Sequence, residues 1–216
     1  MFPMNSILCS VGLVTLVSLG GCAGAPSTAE APTELNESDS MDPGLGEHVD
    51  GSLEFKRQNG STVELADLYE DRPIVLTFYR GNWCPYCQRA LKEWQTRTDD
   101  LNEAGGRLVA VSLENLRELE NTKEDLGLSY TVLSDHNGEA ADYFDIAFDL
   151  DENTVARYKG FGVDLASANA TDEWELPVPA TYVIDTDGVI RYVYEDPNYQ
   201  VRADPDAVIV VVESLN

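Results

Sequence analysis

The chain has 216 residues, with 39 Asp and Glu against 14 Lys and Arg, a formal net charge of −25 and 43% apolar residues. That apolar fraction is enough to pack the core of one ordinary domain, and it excludes a wholly disordered chain. So negative a surface repels phosphate backbones and anionic headgroups, which excludes nucleic-acid binding; it also suits a saline medium, where screening weakens self-repulsion.

No charged side chain occurs in residues 1–21, and Ser6 to Leu19 is an apolar run of 14. That length is short for a bilayer-spanning helix and matches the apolar region of a signal peptide. Leu19-Gly20-Gly21-Cys22 follows and resembles a bacterial lipobox, in which the chain is cut before the cysteine and that cysteine is acylated. The first five residues depart from the pattern by lacking a basic side chain. Residues 23–50 are rich in Ala, Pro, Ser and Gly, with seven acids and no base, a composition too poor in apolar surface to fold. The expected organisation is a signal peptide at 1–21, an acidic disordered tether at 22–50 and a folded domain at 51–216. The protein would then be exported and held at the cell envelope, meeting the membrane only through a lipid on Cys22.

Pro73–Tyr79 (PIVLTFY) has the continuous apolarity of a strand buried on both faces. It runs through Arg80-Gly81-Asn82-Trp83 into Cys84-Pro85-Tyr86-Cys87. From Cys87 the positions 87, 90, 91, 94, 98 and 101 keep a helical period that ends at Gly105-Gly106. Trp94 falls on the core face of that helix. Cys84 therefore sits at a strand-to-helix turn, with Pro85 in the first turn where its missing N–H is tolerated. Unpaired amides and the positive end of the helix dipole favour a thiolate there, which makes Cys84 an exposed nucleophile of lowered pKa. Cys87, one turn inside, is placed to attack a bond formed at Cys84.

Downstream, Arg107–Leu113 reads as a strand, and Glu114–Leu126 as a charged helix stopped by Gly127. Tyr130–Ser134 is a short strand and Glu139–Phe144 a helical stretch, with His136 in the loop between. Residues 149–176 form a polar insertion containing a tryptophan. Pro179–Asp185 and Val189–Tyr194 flank Thr186-Asp187-Gly188 as a hairpin. At the end, Asp204 and Pro205 begin a helix, although Val208–Val212 has strand propensity.

The cysteine count decides the chemistry. Cys9 lies in the expected signal peptide and Cys22 is the candidate lipid site, so the domain keeps only Cys84 and Cys87. A pair so close in sequence closes too short a loop to staple a fold. A structural zinc needs four ligands, and the domain offers this pair and His136, with His48 in the tether. A c-type haem needs His after the second cysteine, where Gln88 stands. No metal or cofactor is implied, and redox chemistry of the pair remains.

Trp83-Cys84-Pro85-Tyr86-Cys87 after a buried strand resembles a thioredoxin-fold active site. The longer pattern is more specific: Phe78 to Pro85 (FYRGNWCP), Val132-Leu133-Ser134-Asp135, and Pro179 to Asp185 with Asp187-Gly188 following. It resembles the peroxiredoxin-like branch of the alkyl hydroperoxide reductase/thiol-specific antioxidant family over roughly residues 51–215. The resemblance implies a thioredoxin-like α/β fold, a central mixed sheet flanked by helices, with the insertion near 149–176. It also implies that Cys84 reduces hydroperoxides, that Cys87 closes a disulfide with it, and that a thioredoxin-like donor reopens that disulfide.

Two departures bear on this. The family has Thr or Ser three residues before the cysteine, where this chain has Gly81, and an Arg at the late strand, where it has Pro179. Pro179 resembles the cis-proline that faces the cysteine pair in thioredoxins. It supports a second reading, a thiol–disulfide oxidoreductase acting on protein disulfides. Arg80 either supplies the missing charge or lies solvated at the strand end. Trp83 abuts the nucleophile and would shield it from water. Because Arg80 and Arg89 lie near the pair, the mouth of the site should be less acidic than the surface around it.

Overall fold

The computed structural model describes residues 43–216. The expected signal peptide, Cys22 and most of the tether lie outside the described residues. Strands β1 (Glu54–Lys56) and β2 (Thr62–Glu64) precede helix α1 (Leu65–Tyr69) and strand β3 (Ile74–Phe78). Helix α2 (Pro85–Glu103), β4 (Arg107–Ser112), α3 (Leu116–Leu126), β5 (Thr131–Ser134) and α4 (Glu139–Tyr143) follow. Then come β6 (Ala147–Asp149), α5 (Glu152–Gly160), α6 (Leu165–Ala168), β7 (Glu175–Pro177), β8 (Ala180–Ile184), β9 (Ile190–Glu195) and α7 (Pro205–Glu213).

Seven strands form one mixed sheet in the order β2-β1-β5-β4-β3-β8-β9, with β3, β4 and β5 parallel and β8 antiparallel to β3. The alternation of side chains along a strand explains the layering. On β3, Ile74, Leu76 and Phe78 point into a core shared with Leu65, Leu68, Ala140, Ala141 and Phe144, beneath α1 and α4. Val75 and Tyr79 point the other way, into a core with Leu91, Trp94, Leu119, Val208 and Val212, beneath α2, α3 and α7. A sheet covered on both faces is what the continuous apolar run at 74–78 requires. Phe78, Phe144 and Tyr182 pack ring on ring, with centroids 4.4–6.2 Å apart.

Helix ends follow their capping chemistry. Asn115 accepts the amides of Arg117 and Glu118 at the start of α3, and Gly127 closes it in the left-handed conformation (φ 65°). Asp204 accepts the Asp206 amide and Pro205 opens α7. Its run of β-branched residues is helical because Val208, Ile209 and Val212 bury one face, and packing outweighs propensity.

The structure departs from the sequence expectation in three places. Residues 46–49, assigned to the tether, are folded: the Val49 amide donates to the Gly188 carbonyl at 2.9 Å, and the Ile190 amide to that of Glu47, also at 2.9 Å. Backbone pairing needs no apolar side chain, so composition hides it. The β1–β2 hairpin, closed around Gly60, and α1 were not expected. The insertion at 149–176 contains a capped helix, α5, in which Asp151 accepts the amides of Asn153 and Thr154.

Candidate active site

The parallel pair β3–β4 fixes the end of β3, and the chain then leaves the sheet through residues 79–83 to reach α2. Cys84 is the N-cap residue, with extended backbone (φ −93°, ψ 112°), and Pro85 is the first residue of the helix. The Cys84 amide donates to the Gly81 carbonyl at 3.1 Å, tightening the turn. Both cysteines are reduced and buried.

Gly81 explains its own presence. Its φ is +146°, and a Cβ built there would lie 2.4 Å from Trp83 Nε1 and 3.1 Å from a Glu114 carboxylate oxygen. The space that a side chain at 81 would need is taken by the Trp83 indole, whose buried N–H has no partner among the described residues.

Glu114 is the residue that sequence reasoning missed. It is 1% exposed and lies just beyond β4. Its Oε1 accepts the Asn82 amide at 2.7 Å, and its Oε2 accepts the hydroxyls of Tyr79 (2.8 Å), Thr122 (2.9 Å) and Ser112 (3.2 Å). Burial pushes its carboxyl pKa up against these donors. The carboxylate thereby ties the loop before Cys84 to the sheet. On the other side Gln88 donates to the Asn82 carbonyl at 2.5 Å.

The Cys84 thiol is pushed down to about 6. The Cys87 thiol that donates to it is the leading cause, with the amides of Cys87 and Tyr86 and the charge of Arg80 also lowering it, against burial. The helix N-terminus therefore contributes as expected, but a neighbouring thiol contributes more. Cys87 is fully buried, and burial together with the Cys84 anion pushes its own thiol well up. It is held as the proton donor of the pair.

Arg80 is not a solvated strand-end residue: it is 4% exposed. Its guanidinium carbon lies 4.4 Å from the Tyr199 ring centroid, 5.2 Å from Trp83 and 5.8 Å from Tyr158, and it donates to the Tyr158 hydroxyl. Trp83 also packs against Tyr158 at 5.4 Å, and Tyr86 against Tyr199 at 5.6 Å. Tyr158 comes from the insertion helix α5 and Tyr199 from the β9–α7 loop. Under this aromatic cover Cys84 is 2% exposed, so the expectation of an exposed nucleophile is corrected. Elements remote in sequence cover the turn, and a local reading leaves it open.

On the second sulfur, Arg202 Nη2 lies 3.4 Å from Cys87 Sγ. The charge of Arg80 helps to lower the Cys84 thiol and that of Arg202 opposes the rise of the Cys87 thiol, while Arg89 lies over the Tyr86 ring at 5.7 Å. Pro179 is buried between β7 and β8. It immediately precedes β8, whose register on β3 sets Thr77 against Thr181. Trp94 is core, as expected, while His136 is half-buried with Nδ1 enclosed. Among the described residues no group of three or more His, Cys, Asp or Glu is arranged to hold a metal ion.

Residues 48–193 match the profile of the AhpC/TSA family. Chloroplastic peroxiredoxin Q of Suaeda salsa is 26% identical over 161 residues, which are 74% of this chain and 64% of the plant protein, so the match leaves more than a third of that relative uncovered. The thiol-disulfide oxidoreductase ResA of Oceanobacillus iheyensis is 32% identical over 87 residues, 40% of this chain and 44% of that protein. Among solved structures, peroxidoxin BcpB of Mycobacterium tuberculosis superposes with a TM-score of 0.63 at 20% identity, covering 81% of this chain and 99% of that one. A Xylella fastidiosa PrxQ mutant superposes with a TM-score of 0.62 at 14% identity, covering 80% and 96%. These likenesses establish the thioredoxin-like peroxiredoxin fold.

Proposed function

This chain belongs to the AhpC/TSA family, and from that premise we propose that it is a thiol-dependent peroxidase whose nucleophile is Cys84. The observation that carries the reading is a cysteine held down to about 6 while only 2% exposed. At neutral pH such a group is mostly thiolate, the form that attacks an O–O bond. A small hydroperoxide needs less opening of the site to reach a sulfur that is 2% exposed than a protein disulfide does. The Cys84 thiolate takes the terminal peroxide oxygen, the O–O bond breaks, and the alkoxide leaves with a proton from water. The fixed charge of Arg80 beside the sulfur favours a transition state in which negative charge moves onto the departing oxygen. Cys87 then condenses with the sulfenic acid, and a thioredoxin-like donor reduces the disulfide.

The second reading, a thiol–disulfide oxidoreductase, is favoured by the place of Pro179 and by the partial match to ResA. A substitution series tests the nucleophile that both readings share. Cys84→Ser should abolish hydroperoxide consumption. Cys87→Ser should consume one equivalent and accumulate a sulfenic acid on Cys84 that a 1,3-diketone traps. Turnover surviving in Cys84→Ser would overturn the assignment of the nucleophile.

For location, the apolar run at 6–19 and Leu19-Gly20-Gly21-Cys22 support export with a lipid on Cys22. Radiolabelled palmitate should be incorporated by the natural chain in a bacterial host and not by Cys22→Ala; equal labelling of both would dismiss the anchor.

A further inference from the structure

The resolving sulfur poses a problem that the nucleophile does not. Cys87 is fully buried, and a thiol attacks a sulfenic acid as its anion. An anion inside the core needs a counter-charge at close range. Backbone amides, that of Arg80 among them, lower the pKa of Cys87 but carry no full charge.

Arg202 does. Its Nη2 donates to Cys87 Sγ at 3.4 Å, from a chain position 115 residues away. The guanidinium is fixed rather than searching: Nη1 donates to the Tyr199 carbonyl and, at 2.7 Å, to that of Val201. The loop that carries it is pinned at both ends. Asp196 accepts the Asn198 amide at 2.8 Å, the Val201 amide donates to the Asn198 carbonyl at 2.9 Å, and Ala203 is buried just before the Asp204 cap of α7. Tyr199 of the same loop rests on Tyr86 and Arg80.

Building on the peroxidase reading, we infer that Arg202 is a catalytic residue of the resolving step, acting on Cys87 as Arg80 acts on Cys84. The two steps thereby have separate cations. The charged or titratable groups that act on Cys87 are Cys84 and Arg202, and Tyr194 of β9 senses Arg202 in turn. In the reduced protein the Cys84 anion opposes ionisation of Cys87, which stays a thiol and donates to it. Oxidation turns Cys84 into a neutral sulfenic acid, the opposing charge disappears, and the pull of Arg202 is left. Cys87 then loses its proton and attacks the Cys84 sulfur. The S–S bond forms, the S–O bond breaks, and the departing hydroxide takes up the proton that Cys87 released, giving water. The oxidising equivalent is the hydroperoxide already reduced in the first step. Resolution is in this way gated by completion of the first step.

The test uses the full reduced chain mixed with hydrogen peroxide and followed by tryptophan fluorescence, with Trp83 next to the reacting sulfur. Arg202→Met should leave the first, peroxide-dependent phase within about twofold of the natural chain. It should slow the second, peroxide-independent phase about tenfold or more, the fold-change expected for one charge-assisted hydrogen bond. Excess peroxide should then drive more Cys84 to sulfinic acid, seen by mass spectrometry, and Arg202→Lys should recover part of the second phase. An unchanged second phase in Arg202→Met would overturn the inference. A second measurement does not depend on peroxide chemistry: the ultraviolet thiolate titration of Cys87 in a Cys84→Ser background. Its midpoint should rise by about one unit when Arg202→Met is added. An unmoved midpoint overturns the role of Arg202 even if the natural chain reacts slowly with peroxide, whereas a slow first phase with a moved midpoint speaks against the peroxidase reading alone.

Discussion

Replacing Arg80 by methionine separates the electrostatics of the site from the stability of the fold. The guanidinium is 4% exposed, is surrounded by three aromatic rings, and has an unpartnered Nε. Its charge lowers the Cys84 thiol, but after the Cys87 thiol and the Cys87 amide, which Arg80→Met leaves in place. An adjacent opposite charge shifts a pKa by about 1–3 units, and the low end, about one unit, applies where other donors persist. The midpoint of reactivity should therefore move from about 6 to about 7. The sign follows from Cys84 being an acid of lowered pKa: the reactive thiolate is present above the midpoint and is lost as pH falls through it. At pH 6 the thiolate fraction drops from about one half to about one tenth, so the rate with hydrogen peroxide falls about fivefold. At pH 7 the lost thiolate accounts for only about twofold, and any larger fall that persists above the midpoint is the share of Arg80 in the transition state. Stability should hold or rise, because a buried cation without an ion-pair partner gives way to an apolar side chain of similar length. The assay is the peroxide rate constant against pH, with a melting curve for each variant. A midpoint that stays in place, or an activity loss that tracks a fall in Tm, would refute the reasoning.

Other substitutions probe the loop that carries Cys84. Restoring the family's threonine with Gly81→Thr should lower both stability and peroxide reactivity, since a Cβ there meets Trp83 Nε1 at 2.4 Å and φ is +146°. A loss of about 1–3 kcal/mol by denaturant unfolding, with a changed tryptophan emission, is expected; a gain in activity would count against this account of the glycine. Glu114→Ala removes the acceptor shared by the Asn82 amide and the hydroxyls of Tyr79, Ser112 and Thr122. It should cost about 3–5 kcal/mol, and Glu114→Gln clearly less; equal losses in the two variants would show that side-chain volume, not hydrogen bonding, matters there.

What the sequence revealed was local. The apolar run at 74–78, Pro85 after Cys84, Gly127 after α3 and Asp204-Pro205 before α7 each act on neighbouring backbone, and the structure forms those elements. Position 81 was legible as a departure but not as a cause, because the Trp83 ring that excludes a side chain is a matter of packing. The contacts that tune the site join residues far apart: Asn82 to Glu114 across 32 positions, Arg80 to Tyr158 across 78 and Cys87 to Arg202 across 115. No periodicity encodes such distances. Composition likewise hid the folding of residues 46–49, whose backbone pairs with 188–190.

The central claim, that Cys84 is tuned for hydroperoxides, is tested most directly by competition. The reduced chain is offered hydrogen peroxide and, separately, an oxidised protein disulfide, and the rate of Cys84 oxidation is followed by stopped flow at neutral pH. The account predicts that peroxide reacts far faster than with an ordinary free thiol, leaving one Cys84–Cys87 disulfide per peroxide consumed, and that the protein disulfide reacts slowly. Peroxide reacting no faster than with a free thiol, while the protein disulfide reacts quickly, would contradict it.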